Sequence, residues 1–186
     1  MNSAAQKSLA ELEEKVKTFV PDPEYQDDSF IIIALQEAIA AAKEGNFAVG
    51  AVLVGENGEI VERGHNRVFN PHFRSDLHAE MDVMTRFEER FPEIESMKGF
   101  ILYTSLEPCP MCFARLITSG VSRVYYASPD EHGGMVHRLE HMPPAWTELA
   151  KRQKFAKARC SPELSDLALK IFQTTAAENN RKLQER

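Results

Sequence analysis

Two short stretches about thirty positions apart hold the residues best suited to chemistry: His78-Ala79-Glu80 and Pro108-Cys109-Pro110-Met111-Cys112. Together they supply one imidazole, two thiols and a carboxylate. An imidazole and two thiolates are zinc-ligand types, and three protein ligands leave the fourth tetrahedral position open. Cys109 and Cys112 stand three apart, so on a helical turn they share a face and can grip one ion. His78 and Glu80 are two apart and diverge on a regular helix. Glu80 is therefore poorly placed as a fourth ligand beside His78, but it can reach a water at the open position. That division of labour suits hydrolysis. The competing reading is a structural zinc knuckle, completed by His65, His72 or Glu80.

Elements on either side must position these groups. Ala4 to Val20 has Leu9, Leu12, Val16 and Val20 at spacings of three and four, an amphipathic helix that Pro21-Asp22-Pro23 ends. A second helix is expected from Asp28 or Ser29, either a good N-cap, to Lys43, with Gly45 closing it. Val49 to Val54 reads as a buried strand. Glu56-Asn57-Gly58-Glu59 signals a tight turn into a partner strand, Ile60 to His65. His78 then opens a helix to about Phe91, Phe100 to Thr104 is a strand, and Cys109 to Ser119 is the second ligand-bearing helix. Val121 to Ala127 is a further strand. Alternating strands and helices imply a layered α/β sheet. Both metal-binding motifs fall at helix N-termini, where free N–H groups and the dipole favour thiolate.

The order H-x-E followed by P-C-x-x-C is a signature of zinc-dependent nucleobase deaminases. The sequence resembles the cytidine deaminase superfamily, in its branch of guanine, cytosine and tRNA adenosine deaminases. Ala48-Val49-Gly50-Ala51-Val52-Leu53-Val54 is similar to the family's first strand, and Gly64-His65-Asn66-Arg67 to the loop bearing its base-recognising Asn. Leu102-Tyr103-Thr104-Ser105-Leu106-Glu107-Pro108 leads into the cysteines as in that branch. The likeness covers about residues 29–127. It implies a three-layer α/β/α fold with a central mixed sheet of about five strands and extra N- and C-terminal helices. It further implies one zinc per chain on His78, Cys109 and Cys112, Glu80 as the catalytic proton carrier, and substrate contacts from Asn66, Val49 and Ala79. In such a mechanism hydroxide adds to the ring carbon bearing the amine. Glu80 carries the proton to the ring nitrogen and then to the departing amine, released as ammonia. Branch members commonly dimerise through the helices around the zinc site, so a homodimer is expected. Ala48 stands where relatives often carry proline.

Composition narrows the partners. The 186 residues suit one domain (1–186), a deaminase core at about 29–127 and a divergent, helical C-terminal segment over 128–186. No apolar run approaches the ~20 residues of a membrane span, and the Glu- and Lys-rich N-terminus has no signal core, so a cytoplasmic protein is expected. Three cysteines with a C-x-x-C pair fit metal binding better than disulfides, leaving Cys160 as a small core residue. A net charge of −6 argues against adhesion to polyanions.

Beyond Ser128 the sequence departs from the family. Asp130 to Gly134 reads as a flexible loop. His132, His137, His141 and Arg138 are candidates to meet a substrate's polar end or phosphate. Ala145 to Arg159 is expected as a helix whose wet face holds Lys151, Arg152, Lys154, Lys157 and Arg159, with Trp146 anchoring it or covering the pocket. Ser161-Pro162 opens a long final helix.

The leading functional reading is zinc-dependent deamination of a free nucleobase or nucleoside. A tRNA adenosine deaminase is the alternative, kept open by the five cations. A zinc-stabilised binding protein without turnover is the alternative of another class.

Overall fold

The computed structural model describes residues 3–186. Its centre is β1 (Gly50–Val54), the apolar run Gly-Ala-Val-Leu-Val, buried at all five positions. A strand without a polar face needs cover on both sides, and it receives it. β1 pairs antiparallel with β2 (Ile60–His65) and β3 (Ile101–Leu106). β3, β4 (Arg123–Ser128) and β5 (Lys154–Lys157) run parallel, so the order is β2-β1-β3-β4-β5. The Asn-Gly turn forms where expected, with Gly58 at φ +81°.

Alternate residues send side chains to opposite faces of the sheet. Val52, Val54 and Tyr103 enter one apolar cluster with α1 (Ser3–Thr18), α2 (Asp28–Lys43) and α6 (Pro162–Gln184). Ala51, Leu53 and Leu102 enter another with α3 (Ala79–Arg90) and α4 (Pro110–Ser119). The fold is thus the three-layer α/β/α sandwich with a mixed five-stranded sheet. Leu9, Leu12 and Val16 bury the apolar face of α1 within the chain itself.

Buried carboxylates fasten α6 to this frame. Asp28 accepts hydrogen bonds from the Ser161 backbone N–H (2.7 Å) and hydroxyl (2.6 Å). Asp27 accepts one from the Arg159 N–H (2.6 Å) and one from the Tyr103 hydroxyl (3.0 Å). Further along, the Thr175 hydroxyl accepts the Ala48 N–H at 2.9 Å. The final helix is therefore tied to the approach of β1, which leads into the site. Cys160 is buried as expected, and burial, with Asp28 nearby, pushes its thiol up to about 11.

Ala145 to Arg159 is not a single helix: α5 spans only Pro144–Ala150, and Lys154–Lys157 forms the edge strand β5. Phe155 packs against Phe113 with the rings tilted and 4.5 Å between centroids, and Gln153 donates to the carbonyls of Leu116 and Val121. Tertiary contacts outweigh the helix-forming composition. The exposed Lys154 and Lys157 sit where charge guards an open sheet edge, so the five cations share no helix face. Trp146 packs with Phe113, Ile117 and Ala150 in a third apolar cluster and serves as an anchor. No helix among the described residues is long and apolar enough to cross a membrane.

Candidate active site

His78 and Cys109 are the N-cap residues of α3 and α4, both in extended backbone conformation, and Pro110 occupies the first turn of α4. Proline suits that position because its missing N–H has no helical partner there. Cys112 follows one turn on. The two helix starts bring His78 Nδ1 to 3.5 Å from Cys109 Sγ and 3.6 Å from Cys112 Sγ. Nitrogen and sulfur bound tetrahedrally to zinc at ~2.0–2.1 and ~2.3 Å would lie about 3.6 Å apart. The donor set fits the ion in type and in spacing. Among the described residues these three form the one His/Cys/Asp/Glu group close enough to share a metal. His65 is engaged elsewhere, with Glu37 (2.8 Å) and Glu44 (3.1 Å) on α2, and His72 does not join the group.

The electrostatics agree with a metal-binding thiol pair. The interaction of Cys109 with Cys112, with His78 alongside, outweighs burial and brings the Cys109 thiol down to about 4. Cys112, fully buried beside that thiolate, is held well above the ordinary thiol range. Burial works against charge on His78, but the Cys109 thiolate outweighs it and raises the imidazole. Glu80 is 3% exposed. Burial, reinforced by Cys109, raises its carboxyl, the direction that keeps an acid/base group useful near neutral pH. Its Oε2 accepts from Cys112 Sγ at 3.3 Å and its Oε1 lies 3.5 Å from the Thr104 hydroxyl.

A cavity of about 210 Å³ opens against these groups, lined by His78, Glu80 and Cys109 together with Asn66 and Val49. Asn66 is held firmly: its N–H donates to the Val49 carbonyl (3.0 Å), and its Oδ1 accepts from Val68 N–H (3.1 Å). No hydrogen bond engages Nδ2 among the described residues, so it can donate to a ligand. Ala79 is fully buried at the start of α3 and does not line this cavity.

Other walls were missed from the sequence. Glu107, adjacent to Pro108-Cys109, has a fully buried side chain. It accepts hydrogen bonds from Asp130 N–H (3.1 Å), His137 N–H (2.9 Å) and His137 Nδ1 (2.8 Å). The Asp130–Gly134 stretch is consequently a pinned turn, with Gly134 N–H bonded to the Asp130 carbonyl (2.9 Å), and Asp130 lines the cavity. The opposite rim is α6, through Phe172, Asn180 and Leu183. A signal existed for that rim: positions 172, 176, 180 and 183 repeat at three and four.

Comparison with known proteins places this geometry. Residues 24–128 match the family model of the cytidine and deoxycytidylate deaminase zinc-binding region. The chain belongs to this deaminase family. It is accordingly a hydrolytic deaminase that takes one zinc per chain. The tRNA-specific adenosine deaminase of Bacillus subtilis (strain 168) is 39% identical over 111 residues, which are 59% of this chain and 66% of that one. Among solved structures, one from studies of A-to-I editing by tRNA:A34 deaminases superposes with a TM-score of 0.63 at 27% identity. It covers 77% of this chain and 98% of its own. The guanine deaminase of Nitrosomonas europaea, at 23% identity and a TM-score of 0.60, covers 88% of this chain and 91% of its own, a likeness of fold.

Proposed function

We propose that this chain, acting as one domain over residues 1–186 with its core at about 29–127, deaminates a free nucleobase or nucleoside. The observation that carries the reading is the rim built by α6. That helix lies outside the family-matched residues 24–128 and walls a cavity of about 210 Å³. This is below the ~300–1,000 Å³ typical of sites for drug-sized ligands. The walls also present carboxylates, Asp130 and Glu107, and no Lys or Arg among the described lining residues, so the cavity itself offers no cation to a phosphate.

His78, Cys109 and Cys112 would hold the zinc, which when bound supplies the Lewis acidity that makes water a nucleophile near neutral pH. Glu80, buried beside them, takes the proton of the attacking water. It delivers that proton to the ring nitrogen and then carries the proton left on the added hydroxyl to the amine as the C–N bond breaks, giving a carbonyl, a ring N–H and ammonia. Asn66 offers its Nδ2 to the edge of the base, and Val49 packs against it.

A transfer-RNA substrate is the second reading, favoured by the identity to an enzyme named for that activity. Ammonia release across nucleobases, nucleosides, nucleotides and tRNA separates the two. The small-molecule reading expects turnover of a free base or nucleoside with a shallow salt dependence, since few counterions are released. It also expects activity to survive joint neutralisation of Lys151, Arg152, Lys154, Lys157 and Arg159. Preferential turnover of tRNA, lost in that variant and at raised salt, would overturn it.

We also propose a homodimer, for which the half-exposed Met111 on α4, beside the zinc ligands, offers apolar contact surface. Sedimentation at micromolar concentration should show twice the chain mass; monomer alone would refute it. Thiol ligands that must stay reduced suit a cytoplasmic setting.

A further inference from the structure

We propose that the cavity adjoining the catalytic one seats the uncharged sugar of a nucleoside. The inference rests on the small-molecule reading above and narrows it. This second cavity, of about 660 Å³, lies between the Pro129–Gly133 turn and one face of α6. Leu106, Asp130, Phe172 and Asn180 line both cavities, so a substituent on a base in the first has the second beside it.

The walls have the chemistry of hydroxyl recognition. Asp130 Oδ1 is spent on the N–H groups of His132 (3.1 Å) and Gly133 (3.0 Å). No hydrogen bond engages its Oδ2 among the described residues, which leaves one carboxylate oxygen to accept from a hydroxyl. Glu131 contributes a second carboxylate. Gln173 and Asn180, on the lining face of α6, can donate and accept through their amides. Leu106, Leu169 and Phe172 supply an apolar floor for the carbon face of a ring.

The same walls disfavour phosphate. No Lys or Arg is among the described lining residues; two carboxylates are, against the single imidazole of His132. The nearby guanidinium of Arg138 is taken up by backbone, donating to the carbonyls of Glu131 (2.6 Å) and His132 (3.5 Å). A nucleotide's phosphate would meet like charge there. A sugar with free hydroxyls would not.

The test compares kcat/KM, by ammonia release, for matched sets of free base, nucleoside and nucleoside 5′-monophosphate, in wild type, Glu131→Ala and Gln173→Ala. The wild type should prefer the nucleoside about tenfold or more over both of the others. In the variants the ratio of nucleoside to free-base kcat/KM should fall about three- to tenfold, the loss of roughly one hydrogen bond. That ratio is read on one enzyme preparation, so a variant that folds poorly does not change it. A free base turned over as well as its nucleoside, a preferred monophosphate, or a ratio unmoved in both variants would overturn the sugar site while the small-molecule reading stood. Turnover of tRNA alone would remove both.

Discussion

Glu80→Gln is expected to keep its zinc and lose turnover by about 10²- to 10⁴-fold, the usual cost of removing a positioned acid/base group. The expectation follows from where Glu80 sits. It is in the first turn of α3, beyond the N-cap His78, so its carboxylate reaches the cavity without joining the ligand set. Burial raises its pKa, so it can both accept a proton from water and hold it for the ring. The glutamine amide keeps the shape and some hydrogen bonding but carries no proton between the two. The loss should therefore fall on kcat, with zinc content by elemental analysis and folding by circular dichroism unchanged. A variant that released its metal would instead make Glu80 a ligand, and the assignment of acid/base would fail.

How far the site was legible in the sequence depends on how local its signals are. His78, Glu80, Cys109 and Cys112 could be read because each pair sits within one helix start, where spacing alone fixes which side chains share a face. The Val49–Asn66 pair was legible only through the family resemblance of the segments that carry it; in the structure a strand, an Asn-Gly turn and a return strand bring its ends together. The rest of the cavity is long-range. Phe172 and Asn180 reach it only because Asp28 holds Ser161 and Thr175 holds the Ala48 N–H across the fold, contacts no periodicity reveals. Glu107 stood in view beside Cys109, but its partners Asp130 and His137 lie more than twenty residues on. The edge strand β5 was misread as helix for a related reason. Its Lys- and Ala-rich composition favours helix locally, while Phe155 is packed against Phe113, a residue of another element.

Loss of the metal should produce the other large effect. Cys109→Ser and Cys112→Ser each replace a thiolate with a hydroxyl that stays protonated near neutral pH, so both variants are expected to lose zinc and, with it, activity. Stability should follow. A ligand that binds the folded state alone at a thousandfold excess over its Kd stabilises by about 4 kcal/mol. For a chain of this size that is a Tm increase of roughly 8–16 °C. Wild-type protein stripped with a chelator should show a drop of that order and recover it when zinc is restored. Neither cysteine variant should respond to added zinc. Because thiolate and neutral imidazole are the binding forms, protons compete with the metal, and zinc content at fixed free zinc should fall as the pH is lowered. Cys160→Ser is the control, because that thiol lies in the other apolar cluster, with α2 and α6, and its zinc content should match wild type. Tightly bound zinc in both Cys109→Ser and Cys112→Ser, or equal metal loss in Cys160→Ser, would show that the ion is held somewhere else.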